Sequence, residues 1–285
     1  MSGAEKLSDW VGRREAREDV IAPDRVRALA ATLDHDRAPA PGEPLPPPWH
    51  WMFFNGAVPM RELGEDGHPR RGGFLPPINH LPRRMWAGGR IRFLDTLKVG
   101  QAIRRESTIA KLEEKKGRSG DLAFVTVNHR IFGPNGLAID EDHDIVYRAA
   151  PVPGSPAPTP PAAPSGATWS RTIRPDPVLL FRYSALTFNG HRIHYDHPYT
   201  TQVEGYPGLV VHGPLIATLL LDLIAREAPA FRVGRFDYRA ASPLFAGMPF
   251  SVNGRRGPGD RPAQLWAAGP TGALAMEGQV EELAP

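Results

Sequence analysis

Two segments decide how this chain is read: Ser184-Ala185-Leu186-Thr187-Phe188-Asn189-Gly190-His191-Arg192-Ile193-His194-Tyr195-Asp196, and Glu204-Gly205-Tyr206-Pro207-Gly208-Leu209-Val210-Val211-His212-Gly213-Pro214-Leu215. Together they hold three histidines, Asn189, Asp196 and several glycines in one short span. The second runs into Leu215-Ile216-Ala217-Thr218-Leu219-Leu220-Leu221-Asp222-Leu223, which is too apolar all round for a surface helix and reads as a buried one. Pro214 suits the first helical position, where a missing N–H costs nothing. N–H groups at a helix start lack intrahelical acceptors, and the helix dipole favours negative charge there. A proton-handling loop that feeds such a start is a place to bind and polarise a carbonyl.

This stretch resembles the signature of the MaoC-like, R-specific enoyl-thioester hydratases. Their usual motif is Gly-Asp-x-Asn-Pro-[Ile/Leu/Val]-His, with a His-Gly that opens the central helix. Here Asn189 stands at the aspartate position, His191 at the asparagine, Arg192 at the proline and His194 at the histidine; His212-Gly213 is the His-Gly. These departures match one branch, which includes mesaconyl-CoA hydratase-like proteins and mitochondrial-type 3-hydroxyacyl-thioester dehydratases. Ser184 to Asp196 and Glu204 to Leu215 reproduce that branch's two long motifs in order. The resemblance implies an α+β double hot-dog fold, two antiparallel sheets each wrapped around a central helix. It also implies a hydro-lyase acting on an acyl-CoA thioester, with no cofactor, in a cytoplasmic homodimer.

Hydration of an enoyl thioester needs an acid–base group for water and the α-carbon, and a donor for the charge that develops on the thioester oxygen. His194 matches the family's catalytic histidine. Asn189 cannot be the base, because an amide takes no proton at neutral pH; it orients water or substrate. His191 is the candidate for the missing acid–base group. Asp196 is a candidate to pair with a histidine and fix its tautomer. The alternative for His191 and Asp196 is a set of loop hydrogen bonds that fix the local turn. Gly213 fits the oxyanion donor, or is a close-packing glycine. His212, Val211 and Arg192 complete the expected substrate contacts; Arg192 either binds a carboxylate or phosphate bidentately or is a surface charge, and the alternative for His212 is to shape the helix entry. Histidine acid–base work implies an ionisation near neutral pH.

Metal is not expected. His191 and His194, three apart on a strand, point to opposite faces, and no acidic third ligand stands at a telling spacing. Arg71-Gly72-Gly73-Phe74 and Ala87-Gly88-Gly89-Arg90 lack the strand–loop–helix context of a phosphate loop and read as turns or bulges.

The 285 residues are 41% hydrophobic and 23% charged, enough for one or two domains with a real core. Net charge is +3, small and scattered, so no nucleic-acid surface is indicated; the mixed run Lys111 to Arg118 reads as a solvated hairpin. A mild positive bias still favours an anionic CoA ester. The absence of cysteine excludes disulfides and thiolate chemistry and is compatible with a cytosolic protein. Met1 to Val20 is charged and is no signal peptide, and Leu215 to Leu221 is too short to span a bilayer.

Ala149 to Gly166 is proline- and alanine-rich and reads as a linker, dividing the chain into domains 1–148, non-catalytic, and 167–285, catalytic. Each half repeats a strand, a glycine-closed turn and a second strand: Arg90 to Leu94, Gly100, Ile103 to Ile109, and Arg235 to Arg239, Gly247, Phe250 to Val252. Further strands are expected at Leu122 to Phe132, Leu137 to Tyr147, Ala263 to Ala268 and Leu274 to Val280. Asp24 to Leu33, after Pro23, is a short amphipathic helix. Pro39 to Pro48 reads as a surface excursion. The leading function is hydration of an enoyl-CoA, with mesaconyl-type C5 dicarboxylates as candidate substrates. The alternatives are a fatty-acid-type 3-hydroxyacyl-thioester dehydratase and, because of Asn189, a non-catalytic acyl-thioester binding protein.

Overall fold

The structure, a computed structural model, describes residues 6–117, 120–149, 159–257, 259 and 261–283. Its strands are β1 (Arg14–Val20), β2 (Arg83–Phe93), β3 (Ala102–Gly117), β4 (Gly120–Gly133), β5 (Gly136–Arg148), β6 (Trp169–Ile173), β7 (Val233–Ala240), β8 (Phe250–Arg256), β9 (Pro262–Ala268) and β10 (Leu274–Glu282). The helices are α1 (Pro23–Thr32), α2 (Pro177–Thr187) and α3 (Gly213–Glu227). The strands form one sheet in the order β1-β3-β4-β5-β2-β7-β10-β9-β8-β6.

That order is the internal duplication made visible. Each half runs first, third, fourth, fifth, second strand, and the two second strands meet. β2 and β7 pair antiparallel, with Gly89 opposite Tyr238 and Ile91 opposite Phe236. The two sheets expected from the sequence are therefore one continuous sheet. Pairing β2 with β7 satisfies the N–H and C=O groups that a free edge on each half would leave open. Gly100 and Gly247 both close their turns at positive φ, 91° and 81°.

In the second half α3 fills the sheet's concave side. All its residues from Leu215 to Ile224 are buried, and each large apolar side chain among them contributes about 1.5–3 kcal/mol. Asp222 is the one charged residue in that run. Its buried carboxylate takes His35 at 2.6 Å, Arg171 at 2.7 Å and Arg226 at 2.8 Å. Arg226 also donates to the Leu33 carbonyl at 2.8 Å, which ties the end of α1 to α3.

The first half has no helix like α3. Its concave side is covered by the ten residues of α1 and by a 3-10 turn at Trp49–Met52. Pro39 to Pro48 is not wholly a surface excursion, because Leu45 is buried and bonded through its N–H to the Leu97 carbonyl. Three elements were not expected from the sequence. β1, Arg-Glu-Ala-Arg-Glu-Asp-Val, is a charged edge strand without apolar alternation. β6 is five residues long. α2 is started by Asp176, whose carboxylate accepts the Leu179 N–H at 2.7 Å. Residues 150–158 of the expected linker lie outside the described residues; further on, the Ala163 N–H bonds the Gly272 carbonyl.

The covering turn of the first half is pinned by a buried carboxylate on β5. Glu141 accepts from His50 at 3.0 Å and from the Trp51 indole at 2.9 Å. Burial would raise its pKa, but the hydrogen bond and charge of His50 outweigh burial and hold it at about 2. Removing the carboxylate leaves the buried His50 and the partly buried Trp51 indole unpaired. Glu141→Ala is expected to destabilise the protein by about 3 kcal/mol or more. Urea denaturation of the variant measures this, and a loss below about 1 kcal/mol would show that the turn is held by packing alone.

Candidate active site

Four histidines form a row that ends at the start of α3. The rings of His68 and His191 lie 4.1 Å apart, His191 and His194 lie 5.5 Å apart, and His194 and His212 stack at 3.6 Å. Three of these come from the motif. His68 comes from the first half, on the turn Gly64-Glu65-Asp66-Gly67-His68, with Asp66 bonded to its Nδ1 at 3.1 Å. The turn is fastened to the motif by its backbone: the Arg192 N–H donates to the Asp66 carbonyl at 2.9 Å. Gly67 sits at φ +84°, where a side chain would run into the Gly190 carbonyl. The histidine row thus draws on both halves, whereas the residues the sequence singled out all lie in the second.

His194 is buried and its orientation is set by the backbone. Its Nδ1 lies 2.7 Å from the Val210 carbonyl. A carbonyl only accepts, so Nδ1 carries the proton and Nε2 of the neutral ring has a free lone pair. Burial pushes the imidazole down to about 4. His191 and His68 are also lowered, first by burial and then, for His191, by the neighbouring histidines. Asp66 is held below the usual carboxylate range, because hydrogen bonds and charge from His68 outweigh its burial. The near-neutral ionisation expected from the sequence is therefore moved to lower pH, since burial away from water disfavours imidazolium.

The other expected site residues divide. Asn189 Oδ1 accepts the His191 N–H at 3.0 Å and closes the turn that presents His191. Asp196 meets no histidine: its carboxylate binds Arg192 at 2.6 Å and caps the Tyr199 N–H at 3.1 Å. Arg192 is used up in that pair and by stacking over Tyr199 at 4.1 Å. Val211 is buried and its N–H goes to the Leu244 carbonyl at 2.8 Å, so it offers a ligand no free N–H. His212 Nε2 bonds Ser184 Oγ at 2.8 Å, and its Nδ1 is buried without a partner. Gly213 is the first residue of α3. A side chain on it would come within 2.6 Å of the Trp86 ring, so it is a close-packing glycine whose N–H still lies at the helix start.

Asp66, His68 and His191 bring ligand-type atoms within 4.8 Å of one another. The sequence missed this acidic neighbour because it lies on a distant turn. An Asp-Gly pair followed by His68-Pro69 signalled only the turn.

Neutral buried histidines make stability depend on pH. In the unfolded chain they protonate near 6.5, whereas folded His194 and His129 are lowered by burial to about 4 and about 3. Below pH 6.5 the unfolded state binds more protons, so stability falls as pH drops toward 4, by roughly 1.4 kcal/mol per pH unit for each such group. Thermal melts across this range test it. A melting temperature unchanged between about pH 7 and 5 would contradict neutral burial of these rings.

Comparison with known proteins places this geometry. The family model for hydroxyacyl-thioester dehydratase type 2 matches residues 48–246. A mesaconyl-C(4)-CoA hydratase of Chloroflexus aurantiacus is 51% identical over 285 residues, covering 99% of both chains. The mitochondrial hydroxyacyl-thioester dehydratase type 2 of Schizosaccharomyces pombe is 30% identical over 234 residues, 73% of this chain and 77% of that one. In fold, HtdX of Mycobacterium tuberculosis superposes with a TM-score of 0.68 at 18% identity, covering 94% of this chain and 99% of that one. Another protein of that organism, described as a double hot dog, gives 0.61 at 13% identity, covering 99% of each. With the histidine row set before the start of α3, the chain belongs to the hydroxyacyl-thioester dehydratase type 2 family: it is an enoyl-thioester hydratase or dehydratase with the double hot-dog fold.

Proposed function

We propose that the chain hydrates a short branched dicarboxylyl enoyl-CoA, of the mesaconyl-C4-CoA kind, with His194 as the acid–base group. The observation that carries this is the hydrogen bond from His194 Nδ1 to the Val210 carbonyl, which leaves Nε2 bare. Water attacks the β-carbon while Nε2 takes its proton. The electron pair of the double bond moves to the thioester oxygen, which the Gly213 N–H stabilises at the helix start. The imidazolium then returns a proton to the α-carbon. The negative charge of that intermediate raises the imidazole pKa at the moment the proton is held. His191, presented by Asn189 and backed by His68 and Asp66, keeps the water in place. The mesaconyl-C(4)-CoA hydratase matched along nearly the whole chain supports this substrate class.

The same steps in reverse dehydrate a 3-hydroxyacyl thioester, the activity in the fission-yeast relative's name. In this reading residues 1–148 form the domain without a motif, 149–166 the linker and 167–285 the catalytic domain. The first domain's part in catalysis is the Asp66–His68 turn. The protein works as a cytoplasmic homodimer. Its α2 presents Val178 and Phe181, 61% and 63% exposed, as an apolar face for a second copy.

Purified protein is expected to bleach the enoyl-thioester absorbance of mesaconyl-C4-CoA, and His194→Ala to lose on the order of a hundredfold or more in kcat with its fold intact. Near-normal turnover by the variant would move the proton transfer elsewhere. The base is active when neutral, so the wild-type rate is expected to stay level from about pH 8 to 6 and to fall on the acid side, toward the His194 value of about 4. A midpoint near 6.5, the ordinary histidine value, would show that the ring is solvated in the working enzyme.

A further inference from the structure

The inward face of β2 carries an arginine without an acidic partner. Arg84 and Trp86 lie two apart on β2, opposite Tyr147 and Ile145, and so share one face of the sheet. Trp86 is the residue against which Gly213 packs, so this face looks onto the start of α3. Arg84 is half-buried, and its charge acts on His68, His191 and Tyr147. Its neighbours are spoken for: Arg83 pairs with Glu204 at 3.3 Å, and Arg71 donates to the Leu81 carbonyl at 2.8 Å. Among the described residues no carboxylate forms an ion pair with Arg84.

The same face holds other unmet polar atoms. Trp86 Nε1, His143 Nε2 and Tyr238 Oη are buried without hydrogen-bond partners. The Trp86 ring lies 5.5 Å from His143 and 4.8 Å from Tyr238. Tyr238 is 5% exposed. Buried polar groups are costly when unpaired, and a cation in a cleft more so, unless a ligand completes them. An anionic group is what can accept from a guanidinium, an indole N–H and a phenol O–H together.

We propose that Arg84 is the specificity-determining residue of this enzyme, binding the free carboxylate of a dicarboxylic acyl thioester while the thioester oxygen sits at the Gly213 N–H. A guanidinium fork matches a carboxylate bidentately. Two residues of strand advance about 7 Å, a span that a trans four-carbon dicarboxylate bridges with a hydrogen bond at each end. Trp86, Tyr238 and His143 wall the subsite and exclude water from it. This rests on the reading of the chain as a hydratase of dicarboxylyl-CoA esters.

The test compares mesaconyl-C4-CoA with crotonyl-CoA, which lacks the second carboxylate. Wild type is expected to prefer the former. Arg84→Gln is expected to lower kcat/KM for mesaconyl-C4-CoA on the order of a hundredfold and that for crotonyl-CoA by far less, so that the preference collapses. Arg84→Lys keeps the charge without the fork and is expected to fall between the two; it carries the test if the glutamine variant does not fold. Parallel losses for both esters would make Arg84 a support for the histidines and overturn the proposal. So would an unchanged preference in both variants. Wild type that hydrates crotonyl-CoA at least as well as mesaconyl-C4-CoA would sink the dicarboxylate reading, and hydration of neither would sink the proposed function itself.

Discussion

The pairing of β2 with β7 is the constraint on which the rest of this molecule depends. β2 bonds β5 on one side and β7 on the other, so it lies at the centre of the sheet. The two halves cannot shift against each other without breaking that ladder. A one-residue slip would also turn Trp86 and Ile91 to the opposite face. The seam therefore fixes which side chains of the first half look onto α3. It also fixes the path of the chain that leads into β2. That path carries the Asp66–His68 turn over the motif and locks it there, with the close approach of Gly67 to Gly190 and the bond from Arg192 to the Asp66 carbonyl.

Desolvation sets the chemistry of the cleft. Rings stacked as closely as His194 and His212 would repel if both were charged, and burial alone already keeps each neutral. A neutral imidazole with one nitrogen committed to a carbonyl has a defined tautomer, so the cleft presents a base rather than a cation. The cost is carried by the fold, which must hold unprotonated histidines away from water. The ion pairs respond to the same low dielectric. Asp222 and Glu141 are each met by several donors, and each fastens a covering element to a buried face.

The departures from the usual motif have a common physical reading. Asn189 closes a turn with its amide oxygen, which an asparagine does without adding a charge beside three histidines. Arg192 and Asp196 neutralise each other on the outer side of that turn. The sequence left both open, Arg192 between ligand binding and a surface charge, and Asp196 between a histidine pair and loop hydrogen bonds. Their spacing of four residues was equally the signal of a local pair. Val211, among the expected substrate contacts, is buried in the core.

What the sequence by itself determined is local. An apolar run after Pro214 made a buried helix, and alternating apolar residues between glycine turns made strands. Two long motifs placed the chain among the double hot-dog hydratases and gathered the candidate site residues, from Asn189 to Gly213, into one short span. Tertiary structure decided what depends on distant neighbours. It joined two sheets into one at β2 and β7, and covered the first half with a pinned turn in place of a long helix. It also brought Asp66 and His68 to His191 and set Arg84 on the face that looks onto Gly213. Periodicity reports which face of an element is buried. It carries no information about which other segment, a hundred residues away, arrives to bury it, and burial is what sets the protonation of these histidines.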